Sequence, residues 1–108
     1  MTVAELCKEA DLSAVVMSEP ERQVIGAYCG DLLSWVMGRA SSGNVWITIM
    51  SNLNILAVAS LADVSCILLA EGVIPDRDVA ETAKQKGINI LSSEKSSFEL
   101  AAAIGKLI

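Results

Sequence analysis

The chain has 108 residues, of which 53% are hydrophobic and 19% are charged, and its formal net charge is −5 at pH 7. This length suits one domain with one core, and the high apolar content excludes a disordered chain. The acidic balance and the scarcity of aromatic residues argue against nucleic-acid binding. Because the chain has no histidine, a Ser-His-Asp triad, a Cys-His pair and imidazole ligation of a metal are excluded.

Three scattered cysteines, Cys7, Cys29 and Cys66, form neither a disulfide framework nor a CxxC pair. We interpret them as reduced thiols of a cytoplasmic protein, and we expect no metal and no cofactor. The N-terminal residues carry acids early and lack the apolar core of a signal peptide. Residues 40–62 contain no charge, yet Ser51, Asn52 and Asn54 in that stretch favour a loop, a buried strand and a buried helix over a membrane span.

The first part of the chain predicts a helix and two strands. Thr2 and Glu5 have the spacing of a capping box, which predicts a short helix that ends near Ala10. Residues 14–17 predict a strand, and residues 18–21 a turn. Residues 23–29 predict a second strand that is interrupted by Gly26.

The middle of the chain predicts a helix, a strand and a helix. Asp31 suits the N-cap of a helix over residues 32–38, and Gly38 helps to end it. Residues 45–50 predict the strongest strand, because β-branched and aromatic residues dominate them. Ser51 or Asn52 is expected to cap a helix over residues 53–62 that is buried nearly all round.

The last part repeats strand and helix twice. Residues 66–69 are a continuous apolar run, typical of a strand in a parallel sheet covered on both faces. Asp76 is expected to cap a helix with an outer Arg77–Glu81 pair, closed by Gly87. Residues 88–91 predict the last strand, and a second capping box at Ser96 predicts the final helix.

This order of elements predicts one α/β domain over residues 1–108, with a largely parallel or mixed five-stranded sheet flanked by helices.

Residues 38–44 have the glycine spacing of a phosphate-binding P-loop. Asn44 stands where the lysine is required, and the segment leads from a helix into a strand instead of the reverse. An ordinary helix-to-strand connection is the better interpretation.

Polar residues follow the predicted parallel strands where those strands end, and ligands of open parallel sheets bind outside these ends. Helix N-termini that point to the same place could hold a small anion, although the same residue types also serve simply as helix caps. The acids among them disfavour a phosphate unless a cation accompanies it. The residues predicted to contact a ligand are Asp31, Thr48, Asn52, Asn54, Glu71 and Ser92.

Catalysis is not expected, because no nucleophile with an activating base is visible. Cys29 precedes the predicted Asp31 helix, whose field could lower the pKa of a thiol, but a packed strand thiol is the simpler interpretation. Arg22 is either an anion contact or an exposed turn charge.

The high apolar content of so small a domain suggests a C2 homodimer. Trp35 and Trp46 are expected in the core or in an interface. The alternative to the dimer is that the apolar helix 53–62 lies within the monomer's own core.

Several segments together resemble the DRTGG domain family over roughly residues 10–108. They are GAYCGDLLSWVMG (26–38), VWITI (45–49), LNILAVA (53–59), AEGVIP (70–75) and ILSSE (90–94). The resemblance implies an α/β fold related to the N-terminal domains of HPr kinase/phosphorylase and of MurF. Of the motif that names the family, Arg22 and Gly26 match, whereas Glu21, Ile25 and Ala27 replace the aspartate, the threonine and the second glycine.

The resemblance also implies a function. Family members act as regulatory or dimerising modules, including beside CBS domains in some inorganic pyrophosphatases. Some members are labelled as kinases. The resemblance does not imply kinase activity for this chain, because the catalytic P-loop domain is absent from it. We therefore expect a non-catalytic module that senses a small ligand, such as a small anion, as a homodimer. The alternatives are a structural adaptor in a larger redox or signalling complex and, less favoured, an enzyme.

Overall fold

A computed structural model describes residues 1–108. Five helices and five short strands make up the chain. In chain order they are α1 (Val3–Glu9), β1 (Ser13–Val16), β2 (Ala27–Cys29), α2 (Leu33–Arg39), β3 (Val45–Thr48), α3 (Asn54–Ala62), β4 (Cys66–Leu69), α4 (Arg77–Lys86), β5 (Ile90–Ser92) and α5 (Ser97–Gly105).

The strands form one mixed sheet in the order β1-β5-β4-β3-β2. Strands β2 to β5 are parallel to one another, and β1 runs antiparallel to β5 at one edge. The predicted five-stranded α/β fold is confirmed. We call the end of the sheet where β2 to β5 begin the amino end, and the end where they finish the carboxyl end.

Helices cover both faces of the sheet. The connections from β2 to β5 all step in the same direction, so right-handed crossovers place α2, α3 and α4 on one face. Helices α1 and α5 cover the opposite face, where they pack on the alternate side chains of β3 and β4. Strands β3 and β4 are buried at every position, as the apolar run 66–69 predicted.

Local signals placed most helix ends correctly. Both predicted capping boxes are present, at Thr2 with Glu5 and at Ser96 with Glu99. Gly87 ends α4 with a φ of 71°, a backbone conformation that favours glycine. The Arg77–Glu81 pair lies on the exposed side of α4 at 3.9 Å, and in water such a pair adds little stability.

Apart from shifts of one or two residues at strand ends, three predictions about elements were wrong in part. Strand β2 begins at Ala27 and not at residue 23, because Gly26 adopts a φ of 85° and Ile25 N–H bonds to Gly43 outside the ladder. Gly38 lies inside α2, which continues to Arg39. Helix α3 is not buried all round: Leu61 is 71% exposed, since α3 presents one side to the sheet and its neighbours and one side to water.

The uncharged residues 40–62 form a loop, a buried strand and a helix, as expected. The longest helix of the chain, α4, has ten residues. None of the helices combines the length and the apolarity that a bilayer span requires.

Residues 18–26 run along the amino end of the sheet and connect β1, at one edge, with β2, at the other. We call them the crossing segment. Asn89, which precedes β5, accepts from Glu19 N–H (2.8 Å) and donates to Glu19 C=O (2.8 Å). Arg22 donates to Asp63, before β4, and Ile25 C=O accepts from Asn44 Nδ2, before β3. Side chains thus fix a segment that belongs to no strand ladder.

Replacing Asn89 with alanine should destabilise the fold strongly. Asn89 is 2% exposed and also donates to Ser65 C=O (3.1 Å), so its loss leaves several backbone groups without a partner. We expect a loss of about 2–3 kcal/mol in the free energy of unfolding, measured by urea titration. Asn52→Ala is the control, since exposed Asn52 makes one local bond. Equal losses in the two variants would contradict this role for Asn89.

Candidate functional site

The carboxyl end of the sheet gathers the polar residues that follow the strands. Strands β2 to β5 finish there at Cys29, Thr48, Leu69 and Ser92, because all four run in the same direction. The six residues predicted to contact a ligand therefore lie at or just beyond one end of the sheet. Their placement divides them into two groups, one beside β2 and β3 and one beside β4 and β5.

Asp31 and Thr48 lie together and bind each other. Asp31 Oδ1 accepts from Thr48 Oγ1 (2.8 Å) and from Ile49 N–H (3.0 Å). Thr48 is 1% exposed, and its Oγ1 also accepts from Met50 N–H (3.2 Å). The pair joins the ends of two neighbouring strands, so Asp31 Oδ1 and the Thr48 hydroxyl are occupied within the protein, while Asp31 itself stays exposed.

The prediction that Asp31 caps α2 is wrong. The N-cap of α2 is Leu32, whose side chain makes no capping bond. The carboxylate of Asp31 turns instead to β3, an interaction between residues 17 positions apart in the chain. Local spacing cannot reveal this partner, because it depends on β2 and β3 being neighbours.

Asn52 and Asn54 stay exposed at the start of α3. Asn52 Oδ1 accepts from Asn54 N–H (2.9 Å), while the formal N-cap, Leu53, makes no side-chain bond. Asn52 thus satisfies one free amide at the helix start, as the sequence suggested for a cap. Asp76 occupies the N-cap of α4 as predicted, but its side chain makes no hydrogen bond to that helix.

A cleft of about 220 Å³ opens at the carboxyl end beside β5. The turn after β4 forms one wall: Glu71 has a φ of 60°, its N–H donates to Lys95 C=O (2.8 Å), and Gly72 N–H donates to Ser93 C=O (2.9 Å). Strand β1 forms the other wall. The lining residues are Ser13, Gly72, Val73, Ile74, Ser92, Ser93 and Glu94.

Sequence reasoning found Ser92 but missed Ser13 and Glu94 as parts of this cleft. Ser13 reaches the cleft because β1 runs antiparallel to β5 and therefore begins where β5 ends. Ser13 and Ser92 are paired with each other in the ladder between these two strands. The four residues of β1 contain no sequence pattern that indicates whether this edge strand runs parallel or antiparallel to its neighbour. Glu94 could have been included, since it follows Ser92 by two positions.

The carboxyl end is acidic: Asp31, Glu71 and Glu94 are exposed there, with Lys95 beside them. No group of three or more carboxylate or thiol side chains in the chain is arranged to hold a metal ion. A small anion at this end would have to overcome these negative charges.

The thiols are not activated. Desolvation of the thiol and then the neighbouring Asp31 carboxylate raise the pKa of Cys29, so the lowering by a helix field, which the sequence left open as the alternative, does not occur. Cys29 also proves to be exposed and not packed. Burial raises the pKa of Cys66 to about 12. Protonated thiols are weak nucleophiles.

A second cleft, of about 210 Å³, lies at the amino end between the crossing segment and the C-terminal ends of α3 and α4. Arg22 Nη2 donates to both Asp63 C=O and Asp63 Oδ1 at 2.7 Å, and Ser42 Oγ donates to Asp63 Oδ2. Arg22 thus caps the end of α3 through a residue with a φ of 57°, and it is neither a free anion contact nor a simple turn charge. Residues 40–44 connect α2 to β3, so the glycine spacing of residues 38–44 belongs to an ordinary helix-to-strand connection, as expected.

Stability should depend on Asp63 in acid. The Ser42 hydrogen bond, and then Arg22, hold the pKa of Asp63 below its usual value of 3.8. The folded state therefore binds this proton less readily than the unfolded chain, so the stabilisation is complete above about pH 5 and is lost as the pH falls through the folded-state pKa.

Asp63→Asn, which keeps a residue tolerant of positive φ, tests this dependence. Melting temperatures measured from pH 7 down to about pH 2 should show a gap between wild type and variant that narrows in acid. Asp76→Asn is the matched control, since the Asp76 side chain does not bond to its helix. A gap that is constant over this range would contradict the prediction.

Comparisons with known proteins agree with this architecture. The family model described as DRTGG domain matches residues 10–107. A solved structure of the CBS and DRTGG domains of the regulatory region of Clostridium perfringens pyrophosphatase, complexed with the activator diadenosine tetraphosphate, is similar to the chain with a TM-score of 0.72 and 19% identity. The similarity covers 95% of this chain and 45% of that one, so the chain spans less than half of that neighbour. A comparison with curated protein sequences found no match.

Proposed function

Because this chain belongs to the DRTGG domain family, we propose that it is a non-catalytic regulatory module that senses a small polar ligand and acts as a homodimer. The cleft between β1, β5 and the turn after β4 carries the proposal. It lies at the carboxyl end of a parallel sheet, where ligands of such folds bind. The three free thiols suit a reducing cytoplasm.

The size of the cleft limits the ligand. Sites that enclose drug-sized molecules measure about 300–1,000 Å³, and this cleft of about 220 Å³ is smaller. It would take one sugar, one phosphate or a comparable fragment, with the rest of a larger ligand outside. The pyrophosphatase regulatory region binds diadenosine tetraphosphate, which makes this compound a suitable first probe.

The polar groups of the cleft indicate how a ligand would be held. Ser93 Oγ already accepts from Lys95 N–H (3.1 Å), which leaves the hydroxyls of Ser13 and Ser92 to meet a ligand. Glu94 makes a bare phosphate a poor fit. A ligand that presents hydroxyls, or a phosphate accompanied by Mg²⁺, matches this lining better. Of the remaining predicted contacts, only Glu71 lies in a wall of the cleft. Asp31, Asn52 and Asn54 follow β2 and β3 and would meet only the part of a larger ligand that extends beyond the cleft, and buried Thr48 would act through Asp31.

Thermal shift measurements test the sensing function. Diadenosine tetraphosphate, ATP and inorganic phosphate, each with and without Mg²⁺, are added to the folded chain. A ligand that binds only the native state raises the melting temperature, by an amount that grows with its concentration over Kd. We expect Ser92→Ala to reduce that shift, because it removes a cleft hydroxyl, worth about 0.5–1.5 kcal/mol in such an interaction.

Ser18→Ala is the matched control. It deletes a hydroxyl from an exposed serine at the other end of β1, away from the cleft. The shift should be unchanged in this variant. No shift with any of the probes, or equal shifts in wild type and Ser92→Ala, would count against ligand sensing at this cleft.

A structural adaptor is the second candidate function, favoured by exposed apolar side chains on α3 and α5. Leu61 is 71% exposed and Phe98 is 82% exposed. An adaptor would show no ligand-dependent shift and would co-purify with a defined partner of a redox or signalling complex. An enzyme would instead show turnover that Asp31→Asn or Glu71→Gln abolishes.

A further inference from the structure

Strand β2 leaves one side of its backbone without partners. Gly26 C=O accepts from Val45 N–H (3.0 Å), and Gly30 N–H donates to Ile47 C=O (3.1 Å), so these residues and Tyr28 face β3. The direction of backbone groups alternates along a strand. The N–H and C=O groups of Ala27 and Cys29 therefore point away from the sheet, and both residues are exposed.

Apart from the shortness of β2, which has three residues, this edge lacks the devices that keep strands apart. Proteins protect edge strands with charges, prolines or bulges. The other edge strand, β1, has a register shift between Ala14 and Val16. Residues 23–30, in contrast, contain no charged residue and no proline, and the pairing of β2 with β3 is regular.

The charge distribution favours a second copy of this chain at the β2 edge. Each copy carries a net charge of −5, and the repulsion between two copies is weakest where the contacting surface carries none of their acids. Residues 23–30 provide such a surface. Asp31, the next residue, directs its carboxylate to Thr48 and Ile49 of its own chain.

We propose that β2 pairs with β2 of a second copy in antiparallel orientation, about a twofold axis at Tyr28, to form one ten-stranded sheet. This register places Ala27 opposite the second copy's Cys29, and each such pair exchanges two N–H···O=C bonds. The edge is thus complementary to itself, with four bonds across the axis. An isologous contact of this kind closes at two subunits. The outer edges of the ten-stranded sheet are then the two β1 strands, whose register shift disfavours further pairing.

The flanking helices would supply the remaining contact area. A stable interface buries about 800 Å² on each partner, more than three residues of strand provide. Helix α5 lies against β2 on one face, and on the other face Tyr28 packs against the core cluster that includes Val36 of α2. The start of α2 is apolar and exposed, with Leu32 at 60% and Trp35 at 52%. Pairing of the β2 strands would bring these helices beside their counterparts.

This inference rests on the homodimer in the proposed function, and cross-linking through Cys29 tests it directly. In the proposed register the two Cys29 side chains are diagonal neighbours about 7–8 Å apart. A bis-maleimide with a spacer of that length should convert the wild-type chain into a covalent dimer. Cys7→Ser should still cross-link, Cys29→Ser should not, and Cys66 is buried.

A pair of substitutions at Cys29 tests the backbone bonds. Proline is tolerated on an edge strand where its nitrogen faces outward, so Cys29→Pro should keep the fold by circular dichroism while removing two of the four bonds across the axis. By light scattering in a dilution series, we expect its dimer dissociation constant to rise about tenfold or more. Cys29→Ser should stay within about twofold of wild type.

Ala57→Lys tests the competing surface, the exposed side of α3 between Leu53 and Leu61. It should leave the dimer intact. A dimer that Ala57→Lys separates, or a dimer in which Cys29 does not cross-link, would overturn the β2 pairing without affecting ligand sensing. A mass of 11.4 kDa, that of one chain, at every concentration would overturn the pairing and the dimer together, while the thermal shift with ligand would still decide the sensing function.

Discussion

Strands β2 to β5 are parallel, so all four begin at the amino end of the sheet. The chain that leads into β2 passes along this end, and its backbone groups need hydrogen-bond partners that the strand ladders do not supply. In this protein the crossing segment meets that requirement. Asn89 satisfies both backbone groups of Glu19, Arg22 holds the end of α3 through Asp63, and Asn44 reaches Ile25. These interactions carry the chain from one edge of the sheet to the other. The placement of β2, and hence of everything at the carboxyl end beside it, depends on them.

The two ends of the sheet consequently differ in chemistry. At the amino end, side chains are engaged with the crossing segment and with helix C-termini, which makes that end structural. At the carboxyl end, Asp31 and Thr48 are also engaged, but the cleft beside β5 keeps hydroxyls free for a ligand. The free backbone of β2 lies at the edge strand farthest from β1 and the cleft. The proposed ligand site and the proposed pairing of two copies would therefore use separate parts of one sheet.

Features that depend on neighbours in the chain could be predicted from the sequence. The capping boxes at Thr2 and Ser96 and the glycine end of α4 involve residues within four positions of one another. The parallel arrangement also followed, because alternating helices and strands leave few other topologies. The prediction that six polar residues lie at one end of the sheet followed from that parallel arrangement.

Features that depend on which strands are neighbours could not be predicted. The partner of Asp31 is Thr48 only because β2 lies beside β3, and Ser13 enters the cleft only because β1 is antiparallel. The exposure of Leu61 has a similar origin. An apolar helix has no pattern that distinguishes its buried side from its exposed side, so tertiary packing decides it.

Helix α1 has a consequence for where this fold can be cut. The match to the family begins at residue 10, yet Val3 and Leu6 are fully buried against the same cluster as Leu68 and Ile104. Thr2 also bridges to Gln23 at the approach to β2. Removing residues 1–9, which precede the family match, would leave a cavity in the layer formed by α1 and α5. It would also remove the bridge between Thr2 and Gln23 that holds the backbone leading into β2. The folding unit of this protein is thus larger than the stretch by which its relatives are recognised.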